Sequence, residues 1–112
     1  MKTLPTVLGA AVMAIAVVAW SNPVNDVVIR IDKLFSPDNV DISVGDTVSW
    51  KNFDSDNHTV TAQFFPAGAQ ENTFESGIIP SGGSYEHLFA KEGICRYWCT
   101  LHRETGSITV RR

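Results

Sequence analysis

The chain has 112 residues, which is the length of one domain at most. Apolar residues make up 44% of it and charged residues 19%, a balance that predicts a folded rather than a disordered protein. The formal net charge of -3 argues against a nucleic-acid role resting on a basic surface.

Residues 1–21 have the pattern of an export segment. Lys2 supplies a short positive region, an apolar run extends from Val7 to Trp20, and small residues allow cleavage after Ala19 or Ser21. An uncleaved anchor is the alternative, although the apolar run is short for a full membrane span. In both cases we expect residues 22–112 to form a domain outside the cytoplasm, in the periplasm or another extracytoplasmic compartment.

The rest of the chain reads as short strands. Apolar and polar residues alternate with a period of two, and turn residues separate the alternating segments. The region 65–83 is rich in Pro, Gly, Ser and Asn and is predicted to be mostly loop. Since no heptads, long helical period or internal repeat occur, the pattern predicts an all-β antiparallel sandwich or barrel. The predicted strands lie at 27–31, 40–44, 47–51, 60–62, 85–89, 95–99 and 107–110.

Three metal-binding side chains stand out against this pattern. Cys99 and His102 are separated by two residues at the end of an apolar strand, and His58 lies far upstream. Two imidazoles and a thiolate form the trigonal set that suits an electron-transferring copper ion. The alternative is a core thiol with two unrelated surface histidines.

The two cysteines, Cys95 and Cys99, are too few for a disulfide framework. If both lie on one extended strand, their Cα atoms are roughly 13 Å apart. Because a disulfide requires less than about 7 Å, we predict that Cys99 is a free thiolate available to a metal.

The order of several motifs resembles the cupredoxins, the small blue-copper proteins of the plastocyanin and amicyanin type. The resemblance implies a Greek-key β-sandwich with one copper ion, and His58, Cys99 and His102 as its equatorial ligands. It also implies that His102 is the more exposed ligand and the electron exit. The resemblance rests on residues 35–37, 44–52, 54–60, 76–80, 83–85, Phe89, Gly93, 97–102 and 106–110.

The chain departs from this family at the axial ligand. The family usually carries a Met shortly after the second His, but the only methionines here are Met1 and Met13. Glu104, Thr105, a backbone carbonyl near Asn57 or water remain as axial donors. Glu104 is our first choice because it follows His102 by two residues.

Three further predictions concern residues outside this ligand set. A hairpin across residues 91–93 would bring His87 near Cys95 and Tyr97. His87 would then be either part of a second metal site or a hydrogen-bonded structural residue. By the resemblance, Cys95 replaces a Tyr and is expected to be a small buried hydrophobic residue. Asp54 and Asp56 are interpreted as solvated loop charges.

These observations lead to three functional hypotheses. The first is a one-electron copper carrier that is not an enzyme and contacts redox partner proteins through the face around His102 and Leu101. The second is a copper protein whose open or carboxylate-bound axial position serves copper handling or redox chemistry. The third is a metal-free binding module. No nucleic-acid partner is expected, and membrane contact is expected only if the N-terminal segment is retained. No Ser-His-Asp set, P-loop or dinucleotide motif supports another enzyme class.

Overall fold

The computed structural model describes residues 25–65 and 73–112. The predicted export segment and its boundary at residue 21 lie outside these residues. In the described part, the chain forms nine strands: β1 (Asp26–Asp32), β2 (Leu34–Ser36), β3 (Asn39–Ser43), β4 (Thr47–Asn52), β5 (Thr61–Phe65), β6 (Phe74–Glu75), β7 (Ser84–Leu88), β8 (Gly93–Trp98) and β9 (Thr105–Arg111).

The strands form two sheets, with the orders β2-β1-β4-β7 and β3-β9-β8-β5-β6. Consecutive strands repeatedly change sheets, as a Greek-key sandwich requires, and the all-β prediction is confirmed. The sheets are mixed, however, because β1 pairs with β4 and β3 with β9 in parallel. Alternation along single strands gives no information on these pairings, since the partners are distant in sequence.

The core lies between the sheets and follows the period-two pattern. Buried residues alternate with exposed ones along β1 and β8, as expected for strands with one face in the core. The Tyr97 ring packs edge-on against Phe35 and Trp50, with ring centroids 4.8 and 5.3 Å apart. Burial of each large apolar side chain contributes about 1.5–3 kcal/mol to stability.

Both cysteines are free thiols, as predicted. Cys95 is fully buried, and this burial raises the pKa of its thiol to about 12. Cys95 is therefore an unreactive part of the core.

The predicted hairpin between 85–89 and 95–99 was wrong. β7 pairs with β4 in one sheet, whereas β8 pairs with β5 and β9 in the other. His87 instead stacks on Phe74 with ring centroids 4.0 Å apart, and burial lowers the pKa of its imidazole. In the described part of the chain, no group of potential metal ligands includes His87. The period-two pattern located the strands but could not show that the chain crosses from one sheet to the other between Leu88 and Gly93.

None of the described residues forms a helix long and apolar enough to cross a membrane.

Close packing of Tyr97 against Gly106 yields a test of the register of β8 and β9. These two residues are paired, and a methyl group at position 106 would overlap the Cζ and hydroxyl oxygen of Tyr97. Gly106→Ala is expected to lower the free energy of unfolding by about 1–3 kcal/mol. Urea denaturation measures this loss, and Tyr97→Leu in the same chain should recover part of it. If Gly106→Ala is as stable as the wild type, the register is wrong.

Candidate metal centre

A tight turn after β8 carries three of the potential ligands. The Cys99 amide donates to the Glu104 carbonyl at 3.0 Å, and the Arg103 amide donates to the Cys99 carbonyl at 3.1 Å. Arg103 adopts the left-handed conformation, with φ of 76°, which allows the chain to reverse. The turn brings the donor atoms of Cys99, His102 and Glu104 together before β9 begins.

His58 reaches the same place from the segment between β4 and β5. Its backbone pairs with Ile79, with hydrogen bonds of 3.1 and 2.7 Å in the two directions. The residue is only 1% exposed, so its ring is held by packing as well as by the backbone. Cys99 is equally buried, whereas His102 is exposed.

The three predicted ligands lie at distances that suit a shared metal ion. The Cys99 sulfur is 3.8 Å from Nδ1 of His58 and 3.8 Å from Nδ1 of His102. Metal bonds of about 2.3 Å to sulfur and about 2.0–2.1 Å to nitrogen, at about 120°, separate two such donors by about 3.8 Å. The donor atoms therefore fit a trigonal ion such as copper.

Glu104 joins this cluster. Its Oε2 lies 2.6 Å from Nδ1 of His58, and all four donor atoms lie within 4.8 Å of one another. Its other oxygen, Oε1, is buried without a hydrogen-bond partner among the described residues. A buried carboxylate oxygen without a partner is costly, and a cation would compensate it. Thr105, the other predicted side-chain donor, is exposed at the start of β9.

Hydrogen bonds surround the Cys99 sulfur. The Thr59 amide donates to it at 3.4 Å. Burial by itself raises the pKa of the thiol, but hydrogen bonds from the amides of Thr59, Leu101 and His102, and from His58, lower that pKa overall. These donors favour the thiolate, which is the form that binds a metal.

Asp54 is the site residue that sequence reasoning missed. The interpretation of Asp54 as a solvated charge was wrong, because it is only 7% exposed and its Oδ2 lies 2.9 Å from Nε2 of His58. This hydrogen bond lowers the pKa of the Asp54 carboxyl. A signal was present in the sequence: the alternation of Val48 and Trp50 continues through Asn52 and Asp54, and all four are buried.

Comparison with known proteins identifies the family. The family model described as "Copper binding proteins, plastocyanin/azurin family" matches residues 26–111. The chain belongs to this family. It is a cupredoxin, a mononuclear copper protein of the electron-carrier type, as the sequence predicted.

Solved structures agree with this assignment. The novel purple cupredoxin from Nitrosopumilus maritimus is 32% identical, with a TM-score of 0.62, and the match covers 76% of this chain and 99% of that chain. A mutant of amicyanin in its Cu(I) state is 26% identical, with a TM-score of 0.67, and the match covers 77% of this chain and 82% of that chain.

The same fold also occurs inside a larger enzyme. The copper-containing nitrite reductase from Thermus scotoductus SA-01 matches 78% of this cupredoxin but only 22% of its own length, with 23% identity and a TM-score of 0.69. Cupredoxin carriers are typically not enzymes, generally work outside the cytoplasm and pass electrons to partner proteins.

Proposed function

We propose that His58, Cys99 and His102 hold one copper ion, that Glu104 is its fourth ligand, and that the protein carries single electrons outside the cytoplasm without acting as an enzyme. The observation that carries this proposal is the convergence of one thiolate, two imidazoles and one carboxylate within 4.8 Å. In the described part of the chain, this is the only group of three or more potential metal-ligating side chains so placed.

The donor set suits electron transfer. Bound copper supplies a centre that exchanges one electron, while a thiolate favours Cu(I) and imidazoles accept both oxidation states. The protein's part is to keep the donors in place. His58 is fixed by its pairing with Ile79, and the turn from Cys99 to Glu104 is closed by two backbone hydrogen bonds. Fixed donors need little rearrangement when an electron arrives.

Glu104 distinguishes this proposed centre from a Met-ligated one. A carboxylate is a harder ligand than a thioether and stabilises Cu(II) over Cu(I). We therefore infer a lower reduction potential and a colour shifted from pure blue. The description of the relative from Nitrosopumilus maritimus as purple supports an altered colour within this family.

The proposed electron exit is the edge of His102. This ligand is exposed, whereas the other three are buried, and the adjacent Leu101 is 49% exposed. An apolar side chain beside an exposed ligand suits the small, transient contacts of redox partners. Arg103, also exposed, favours an acidic rim on the partner protein.

A second candidate function is copper handling or redox chemistry at the fourth position. The carboxylate in the cluster favours it, because a carboxylate that leaves the metal opens a position for a small molecule. The two functions differ in whether small anions reach the metal of the resting protein.

The ligand set is tested with two matched pairs of variants. Cys99→Ala should abolish the thiolate-to-copper absorption, and His58→Ala should lower copper affinity at least about tenfold. The matched controls, Cys95→Ala and His87→Ala, remove the same residue types outside the cluster and should retain one copper per chain. Absorption spectroscopy and metal analysis report both properties. Copper loss on His87→Ala with retention on His58→Ala would mean that the site is assigned wrongly.

The role of Glu104 is tested by changing its charge and softness. Glu104→Met should raise the reduction potential, by about 59 mV for each tenfold change in the ratio of Cu(II) to Cu(I) affinity. It should also change the absorption spectrum towards that of a Met-ligated blue-copper protein. Glu104→Gly should open the position, so that azide changes its spectrum but not that of the wild type. If Glu104→Met leaves colour and potential unchanged, Glu104 is not a ligand. A spectral response of the wild type to azide would favour the second candidate function.

The docking face is tested by electron self-exchange between oxidised and reduced copies of the protein. Leu101→Glu should slow self-exchange about tenfold or more, since it places a charge in the contact at a cost of about 1–3 kcal/mol. Leu88→Glu is the matched control, because Leu88 is a leucine of similar exposure, at 57%. It pairs with Thr47 at the start of β4, whereas the candidate metal centre lies beyond the opposite end of that strand. Equal rates for the two variants, measured by NMR line broadening, would exclude the Leu101 face.

A further inference from the structure

The carboxylate of Asp54 lies against the side of the His58 ring that faces away from Cys99. Its Oδ2 is 2.9 Å from Nε2 of His58, while Nδ1 of the same ring lies 3.8 Å from the Cys99 sulfur. The two ring nitrogens therefore have different partners. With Nδ1 directed at the proposed metal position, Nε2 carries the hydrogen and donates it to Asp54.

Backbone amides hold the Asp54 carboxylate in this position. The Ser55 amide donates to Oδ1 at 2.7 Å, and the Lys33 amide, between β1 and β2, donates to Oδ2 at 3.1 Å. Since each oxygen accepts a backbone hydrogen bond, the carboxylate cannot rotate without losing contacts. The acceptor for His58 is thus fixed before any metal binds.

Asn52 connects this carboxylate to the backbone that holds His58. The Asn52 side-chain oxygen accepts from the Asp54 amide at 2.8 Å, and its Nδ2 donates to the Ile79 carbonyl at 2.9 Å. Ile79 is also the bridge partner of His58. The ring and its acceptor are therefore positioned by one continuous buried network.

We propose that Asp54 is a positioning residue of the copper centre, which orients the His58 imidazole and, through its negative charge, makes it a stronger donor to Cu(II). This inference rests on the proposed role of His58 as a ligand. It differs from the role of Glu104 because the Asp54 carboxylate does not contact the metal.

The expected effect follows from how such partners act at other metal sites. A carboxylate that accepts from a metal-bound histidine fixes the tautomer and raises the basicity of the ligand, and its loss typically costs 10–100-fold in metal affinity. A more basic imidazole stabilises Cu(II) more than Cu(I). Loss of the Asp54 charge should therefore raise the reduction potential.

The experiment compares Asp54→Asn with Asp56→Asn in the copper-loaded protein. Both variants remove one negative charge from the same loop, but Asp56 is exposed and is not among the hydrogen-bond partners of His58. Asp54→Asn should lower Cu(II) affinity about 10–100-fold, with a smaller loss for Cu(I). Its potential should rise by about 59 mV for each tenfold difference between the two losses. Asp56→Asn should match the wild type in both properties.

A second readout does not depend on the potential. In the Cu(I) protein, long-range ¹H–¹⁵N NMR should show His58 protonated at Nε2 and metal-bound at Nδ1. Exchange of the Nε2 hydrogen with water should be at least about tenfold faster in Asp54→Asn, since the charged acceptor has gone.

The inference is overturned if Asp54→Asn matches Asp56→Asn in potential, Cu(II) affinity and Nε2 hydrogen exchange while His58 remains metal-bound at Nδ1. That result would leave the proposed function intact. If the NMR spectrum of His58 is the same with and without copper, the ligand assignment fails, and the inference about Asp54 fails with it.

Discussion

The pairing of β8 with β9 is the constraint on which the metal centre depends. The six residues between Trp98 and Thr105 contribute three of the four clustered donors, and the closed turn directs them to one point. His58 comes from a different part of the chain and is held by its pairing with Ile79. Register errors in either place would displace a donor by several ångströms. The Tyr97 ring over Gly106 packs immediately behind this turn and stabilises the required register.

The His58 imidazole lies between two buried carboxylates, Asp54 and Glu104, at 2.9 and 2.6 Å. Two buried carboxylates beside the Cys99 sulfur favour positive charge at this position. A copper ion supplies that charge, and more of it as Cu(II) than as Cu(I). We therefore propose a cupredoxin centre biased towards its oxidised state, in which Glu104 binds the metal and Asp54 orients the ligand His58.

The sequence was sufficient for the sandwich, the free thiols and the convergence of His58, Cys99 and His102. Strand alternation and the spacing of Cys99 and His102 depend on local chain geometry, whereas the approach of the distant His58 was expected from the order of motifs shared with the cupredoxins. The crossing between β7 and β8 and the parallel pairs were not predictable, because they depend on which distant strands pack together. Asp54 was missed for a related reason. Asp54 continues the pattern of inward-facing residues, but a polar side chain is buried only where a buried hydrogen-bond partner is present. His58 is that partner, and it is supplied by tertiary packing.

The most direct test of the account is X-ray absorption at the copper edge of the copper-loaded protein, because it counts the ligands by element. We predict one copper per chain with one sulfur at about 2.3 Å, two imidazole nitrogens at about 2.0–2.1 Å and one further oxygen. The oxygen contribution should disappear in Glu104→Met, where a second sulfur should replace it. A copper shell without sulfur, or one unchanged by Glu104→Met, would contradict the central claim.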